Sequence, residues 1–151
     1  MERIVIQSNV SNLVQIEQFL DTVCDNMNIH NYYATISMAV LQAVENAIVH
    51  GNKSDESKRV SIKCSKCRGG ISFVVEDEGD GFDYKDYVGF PMESGVGEGV
   101  FLMKTLADSC VFSKGGRRVK LEFMIQGIEQ ARSLERVATL RRFFETKKIN
   151  V

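Results

Sequence analysis

Three blocks of this 151-residue chain carry side chains that could act on one ligand. The first is Gln42-Ala43-Val44-Glu45-Asn46-Ala47-Ile48-Val49-His50-Gly51, in which Asn46 offers an amide oxygen, a hard neutral donor that Mg²⁺ accepts beside phosphate oxygens and water. The second is Asp77-Glu78-Gly79-Asp80-Gly81-Phe82. Here a carboxylate can accept a hydrogen bond from an exocyclic amine, and the glycines let backbone approach a planar base. The third, Gly95-Val96-Gly97-Glu98-Gly99-Val100, leads into a helix and puts bare amides where phosphate oxygens are favoured. In this order the three blocks read as a site for ATP and magnesium.

Each block alone has a plainer reading. Asn46 could be a buried amide tying down a loop, Asp77 the head of an ordinary Asp-Gly turn, and the glycine run a flexible connection. That run has no Gly-Lys-Ser/Thr of a Walker loop and does not follow a first strand as a dinucleotide turn does. His50, near a helix end, gains from the helix dipole when protonated and is not read as a nucleophile. Glu98 at the start of the phosphate-binding helix would repel nucleotide unless it points to solvent or to a metal.

Hydrophobic periodicity supplies the elements that must position these blocks. Residues 3–7 alternate as a strand, after which Ser8 or Ser11 can cap a helix over 12–27 with Leu13, Ile16, Phe19, Leu20 and Val23 on one stripe. Residues 32–50 form a second helix, stopped by Gly51-Asn52, whose Thr35, Ala39, Gln42, Asn46 and His50 make one small or polar stripe. Strands over 60–66 and 71–76 flank the turn Arg68-Gly69-Gly70, and the second delivers Asp77 to the sheet end. A loop over 79–96, a helix over 97–107, strands over 110–113 and 118–124 around Lys114-Gly115-Gly116, and a helix over 128–144 complete the chain. The order β, α, α, β, β, α, β, β, α predicts an α+β layered domain, a mixed or antiparallel sheet with helices on one face.

The three blocks together resemble the GHKL ATPase superfamily (gyrase, the heat-shock chaperones, histidine kinases), and most closely the bacterial anti-sigma factor serine/threonine kinases. The likeness covers residues 1–125 or so, and the run from Gly97 to Asp108 looks especially like the anti-sigma kinase version of that helix. It implies a two-layer α/β sandwich with a mixed, largely antiparallel sheet. It also implies cofactors ATP and Mg²⁺, with Asn46 on the metal, Asp77 on the adenine amino group, Gly79 and Gly81 in the nucleotide turn, and Gly95, Gly97 and Gly99 at the phosphates. Residues 83–96 would then be the ATP lid.

One position departs from that pattern. Family kinases carry a glutamate general base four residues before the asparagine, and here that position is Gln42, whose amide cannot accept a proton. Glu45 is a poor substitute, because one residue on a helix is a turn of about 100° and carries it away from the Asn46 side. The resemblance therefore implies an anti-sigma-type regulator, a serine/threonine kinase that phosphorylates a STAS-domain antagonist and sequesters a sigma factor. The alternative is a non-catalytic nucleotide-binding interaction module with a degenerate base position. A detached histidine-kinase catalytic domain lacks support, since no helix pair with a phosphoacceptor histidine precedes residue 32 and His30 sits at a helix break.

Composition fits this and narrows the partners. The chain's formal net charge is −1, with +3 on residues 127–151 and hence −4 on 1–126, which predicts no nucleic-acid surface. No run reaches the about 20 apolar residues of a membrane span and no signal-peptide core follows Met1, so a cytoplasmic, membrane-free protein is expected. Residues 1–126 are expected as the ATP-binding domain and 127–151 as a basic amphipathic helix packed on it or on a partner, with a homodimer as a family expectation. Cys24, Cys64, Cys67 and Cys110 read as reduced thiols, because the zinc-like spacing of Cys64 and Cys67 has no second pair.

Overall fold

The computed structural model describes residues 1–81, 96–125 and 130–146. Five strands, β1 (Glu2–Gln7), β2 (Arg59–Cys67), β3 (Gly70–Glu76), β4 (Ser109–Ser113) and β5 (Arg118–Met124), form one sheet in the order β1-β2-β3-β5-β4. Four helices, α1 (Leu13–Asn26), α2 (Tyr33–Asn46), α3 (Val96–Leu106) and α4 (Gln130–Thr146), complete it. Every neighbouring strand pair is antiparallel, so the sheet takes the antiparallel form of the expected mixed or antiparallel arrangement. The architecture is the expected α+β one, with bounds within about two residues of those read from the sequence, except that the α-helical part of α2 ends at Asn46 and not at the expected residue 50.

Strand alternation decides which face is covered. Val60, Ile62 and Cys64 of β2, Ile71, Phe73 and Val75 of β3, and Val119, Leu121 and Phe123 of β5 are all buried on the helix side. Phe73 and Phe123 meet edge to face at 6.0 Å in the middle of that layer. Above them α1 buries Ile16, Leu20, Val23 and Cys24, and α2 buries Ile36, Ala39, Val40, Ala43 and Val44. Cys64 and Cys67 lie three residues apart on one strand, so alternation sends them to opposite faces of the sheet.

One local detail differs from the sequence reading. Neither serine caps the first helix: the Asn9 side chain accepts from the Ser11 backbone N–H at 2.9 Å, while Ser8 is buried and its hydroxyl donates to the Lys58 carbonyl at 2.8 Å. A tertiary partner outcompetes the local cap. At the other end of the chain, α4 lies against α3, with the Phe143 ring fully buried and stacked on Phe101 at 5.2 Å. Arg136 of α4 also donates to Asp108 at 2.5 Å, and that aspartate accepts from the Met124 backbone N–H at 2.7 Å.

Candidate functional site

The helical segment begun by α2 runs through Gly51 and ends at Asn52, where the sequence places the stop, but not as an α-helix throughout. After Asn46 it widens into a π-turn over Ala47–Gly51, closed by the Asn52 N–H on the Ala47 carbonyl at 2.8 Å, and the chain leaves it through Lys53 and Ser54, both in the left-handed region. The extra residue per turn rotates His50 into solvent and Gly51 inward. Gly51 is buried against Asp77, whose Oδ2 would lie 2.3 Å from any Cβ at that position. Only a glycine lets the turn close on that carboxylate.

Asp77 leaves the end of β3 and is anchored twice. Its backbone N–H donates to the Arg117 carbonyl at 2.9 Å, and its Oδ1 accepts from the Gly79 N–H at 2.8 Å. The residue is 8% exposed, and burial pushes its carboxyl pKa up against the opposing pull of the Gly79 N–H and the Arg117 charge. Gly79 packs directly on the Gly51 carbonyl, where a Cβ would sit 1.9 Å away. Gly81 has a φ of +85° and faces the Gly115 carbonyl of the β4–β5 turn.

The metal-binding candidate lies across from the first turn of α3. A Cβ at Gly99 would come within 2.9 Å of Asn46 Nδ2, 3.0 Å of Asn46 Oδ1 and 3.1 Å of Gln42 Oε1, so both amides point at the start of that helix. Glu45 is exposed, as the helical rotation requires. Gly97 and Glu98 in the same first turn of α3 are half-buried. Asn46 Nδ2 is buried without a hydrogen-bond partner among the described residues. An unsatisfied buried donor costs about 1–3 kcal/mol, which is expected where a ligand completes the site.

Asn46 and Asp77 line one narrow cleft, together with Ala43, Ala47, Met103 and Arg117. At about 20 Å³ it has room for a water molecule and not for a purine ring, so a base could enter only if its walls parted. A larger cavity of about 360 Å³ lies between α4 and the body of the domain, lined by Tyr32, Thr35, Asp108 and Arg136, and contains none of the expected ligand-binding residues. The smaller cleft is the candidate site, because the buried carboxylate, the orphaned amide and the close-packed glycines converge there.

The structure thus brings together Gln42, Asn46, Asp77, Gly79 and Gly99, with Gly81 and Gly97 at the margins. Thr35, expected on the same stripe as Asn46, belongs to the distant cavity, and Ala39 between them is fully buried. Gly95 and residues 83–95 of the expected 83–96 lid lie outside the described residues, while Val96, expected as the end of that lid, begins α3. Sequence reasoning missed Asn52, Gly116 and Arg117. The only local sign of Asn52 was its place after Gly51, and Arg117 reaches the cleft through strand pairing alone.

Comparison with known proteins identifies the domain's family and fold. Residues 6–123 match the histidine kinase-like ATPase domain. An anti-sigma F factor of Clostridium perfringens (strain SM101 / Type A) is 39% identical over 93 residues, 57% of this chain and 66% of that protein. The serine-protein kinase RsbW of Bacillus subtilis (strain 168) is 32% identical over 83 residues, 48% of this chain and 52% of that protein. The chain therefore spans just under two thirds of the anti-sigma F factor and about half of the kinase. A solved histidine kinase domain from the Erythrobacter litoralis EL346 blue-light activated histidine kinase superposes with a TM-score of 0.52 over 85% of this chain and 64% of that one. At 17% identity that likeness concerns the fold. With the domain match spanning β1 to β5 and the cleft built from the same stretch, the chain belongs to the histidine kinase-like ATPase domain family.

Proposed function

We propose that this protein binds Mg·ATP and acts as an anti-sigma-type regulator, a serine/threonine kinase that modifies a STAS-type antagonist and sequesters a sigma factor. The observation that carries the nucleotide reading is the pairing of Asn46 with Gly99. A buried amide with an unused donor faces the bare first turn of a helix, where a Cβ on Gly99 would crowd the amide at 2.9 Å. The donor set fits the ligand: Asn46 Oδ1 would hold Mg²⁺, the backbone around Gly97 and Gly99 the phosphates, and Asp77 the adenine amino group. Bound Mg·ATP would supply the transferable phosphoryl group. The regulatory role rests on the anti-sigma and serine-kinase relatives.

Gln42 favours a second reading. Its amide reaches the start of α3 beside Asn46, at the position where the family resemblance puts a glutamate base, and an amide cannot take a proton from an incoming hydroxyl. General-base assistance contributes about 10²–10⁴ in rate, while phosphoryl transfer depends mostly on positioning and metal electrostatics. Slow transfer is the outcome of the first reading, and nucleotide-dependent partner binding without transfer is the outcome of the second. Incubating the protein with Mg·ATP and a purified STAS-type antagonist separates them: a phosphoserine or phosphothreonine on the antagonist supports the kinase, and its absence under saturating nucleotide supports the binding module.

A further inference from the structure

Asn52 is 1% exposed and every polar hydrogen-bonding group of its side chain is used. Its Nδ2 donates to Ser8 Oγ at 2.8 Å and to the Arg59 carbonyl at 3.1 Å, and its Oδ1 accepts from the Glu78 backbone N–H at 2.9 Å. Its own backbone N–H closes the π-turn that carries Gly51. Ser8 passes the link on to the Lys58 carbonyl, and the Glu78 carboxylate returns it by accepting from the Arg59 N–H at 2.5 Å. One buried amide therefore ties the end of β1, the start of β2 and the π-turn to the peptide between Asp77 and Gly79.

We infer that Asn52 is a positioning residue for base recognition: it fixes the turn at Glu78 and so sets where the Asp77 carboxylate stands in the cleft. The inference rests on the reading of Asp77 as the adenine contact. Gly79 donates its N–H to Asp77 Oδ1 and so holds the carboxylate to the turn, while Asn52 supplies the separate bond that fixes the Glu78 N–H and with it the turn itself. A fully satisfied buried polar network has one low-energy geometry, whereas its truncation leaves the Glu78 N–H and the Ser8 hydroxyl short of partners. Base discrimination should fail before the fold does.

The test uses Asn52→Ala and the milder Ser8→Ala, which removes one partner of Asn52 and spares its bond to Glu78. Amide hydrogen exchange in nucleotide-free protein reads the turn. Exchange at Glu78 should rise about tenfold or more in Asn52→Ala, as expected for loss of a bond worth about 1.5 kcal/mol, and less in Ser8→Ala, with the β2–β3 ladder unchanged. Calorimetric titration with Mg·ATP and Mg·ITP, which carries a carbonyl in place of the amino group, reads the base contact. Wild type should prefer ATP, and the variants should lose that preference chiefly by binding ATP more weakly. Unchanged exchange at Glu78, or equal weakening of ATP and ITP, would overturn the role given to Asn52. Raised exchange in the variants with no Mg·ATP binding by wild type would instead sink the nucleotide reading of Asp77 while leaving Asn52 as the residue that holds the turn.

Discussion

Gly99 and Asn46 stand so close across the α2–α3 contact that a Cβ on the glycine would lie 2.9 Å from the asparagine's Nδ2. Gly99→Ala therefore acts on the amide before it acts on the fold. Alanine gains about 1 kcal/mol of helix propensity over glycine, and overpacking costs about 1–3 kcal/mol, so the melting temperature should move by only a few degrees. Mg·ATP affinity should fall at least about tenfold, because the displaced Asn46 oxygen would no longer meet the Mg²⁺ proposed for this site. Thermal melts and titration of the same sample check both halves.

Gln42 tests catalysis separately from binding. Gln42→Glu restores a proton acceptor at a position whose side chain already reaches the start of α3. Phosphotransfer should rise by about 10²–10⁴ if a base is what the site lacks. Single-turnover rates with a STAS-type antagonist decide it, and an unchanged rate would mean that position 42 is not the missing base.

Burial raises the Asp77 pKa, so folding disfavours its charged form. A carboxyl whose folded pKa lies above its unfolded value contributes stability that is fully present below the unfolded pKa and lost as pH rises through the folded one. Asp77→Asn keeps the Oδ1 acceptor for Gly79 and removes the charge, so at neutral pH it should melt at or above the wild-type temperature. The advantage should shrink on acidification as the wild-type carboxyl protonates. Wild-type ATP affinity should begin to fall at a pH above the usual aspartate range. Melts and titrations across mildly acidic pH check the sign.

Much of the sheet and core could be read from alternation alone. Val60, Ile62, Ile71, Phe73 and Val75 announce two half-buried strands, and the glycine turns between strands place the hairpins. The site was legible where a residue type was itself unusual, as with Asn46 on an apolar helix and Asp77 before two glycines. It was not legible where the cause is tertiary. The π-turn exists because Gly51 closes onto Asp77, and the three partners of Asn52 lie at residues 8, 59 and 78, far apart in sequence. Ser8 was misread as a cap for the same reason: its hydroxyl is taken by Lys58 and Asn52.

Phe143 and Arg136 anchor the described part of the last helix on the domain, and the loss of each should show. Phe143 is fully buried against Phe101, so Phe143→Ala should cost about 3–5 kcal/mol of docking. Arg136→Met should cost less, roughly 2 kcal/mol, since Arg136 keeps 17% side-chain exposure beside the 6% of Asp108 and a fully buried pair would lose about 3–5. Limited proteolysis should then cut near α4 first, with the sheet core intact.

Calorimetric titration of wild type and Asp77→Asn with Mg·ATP tests the central claim most directly. The account predicts saturable one-site binding to wild type and its loss in a variant that melts no lower. Absence of binding to wild type, or equal binding by both proteins, would contradict it: the first would leave the cleft without its nucleotide, and the second would remove Asp77 from adenine recognition.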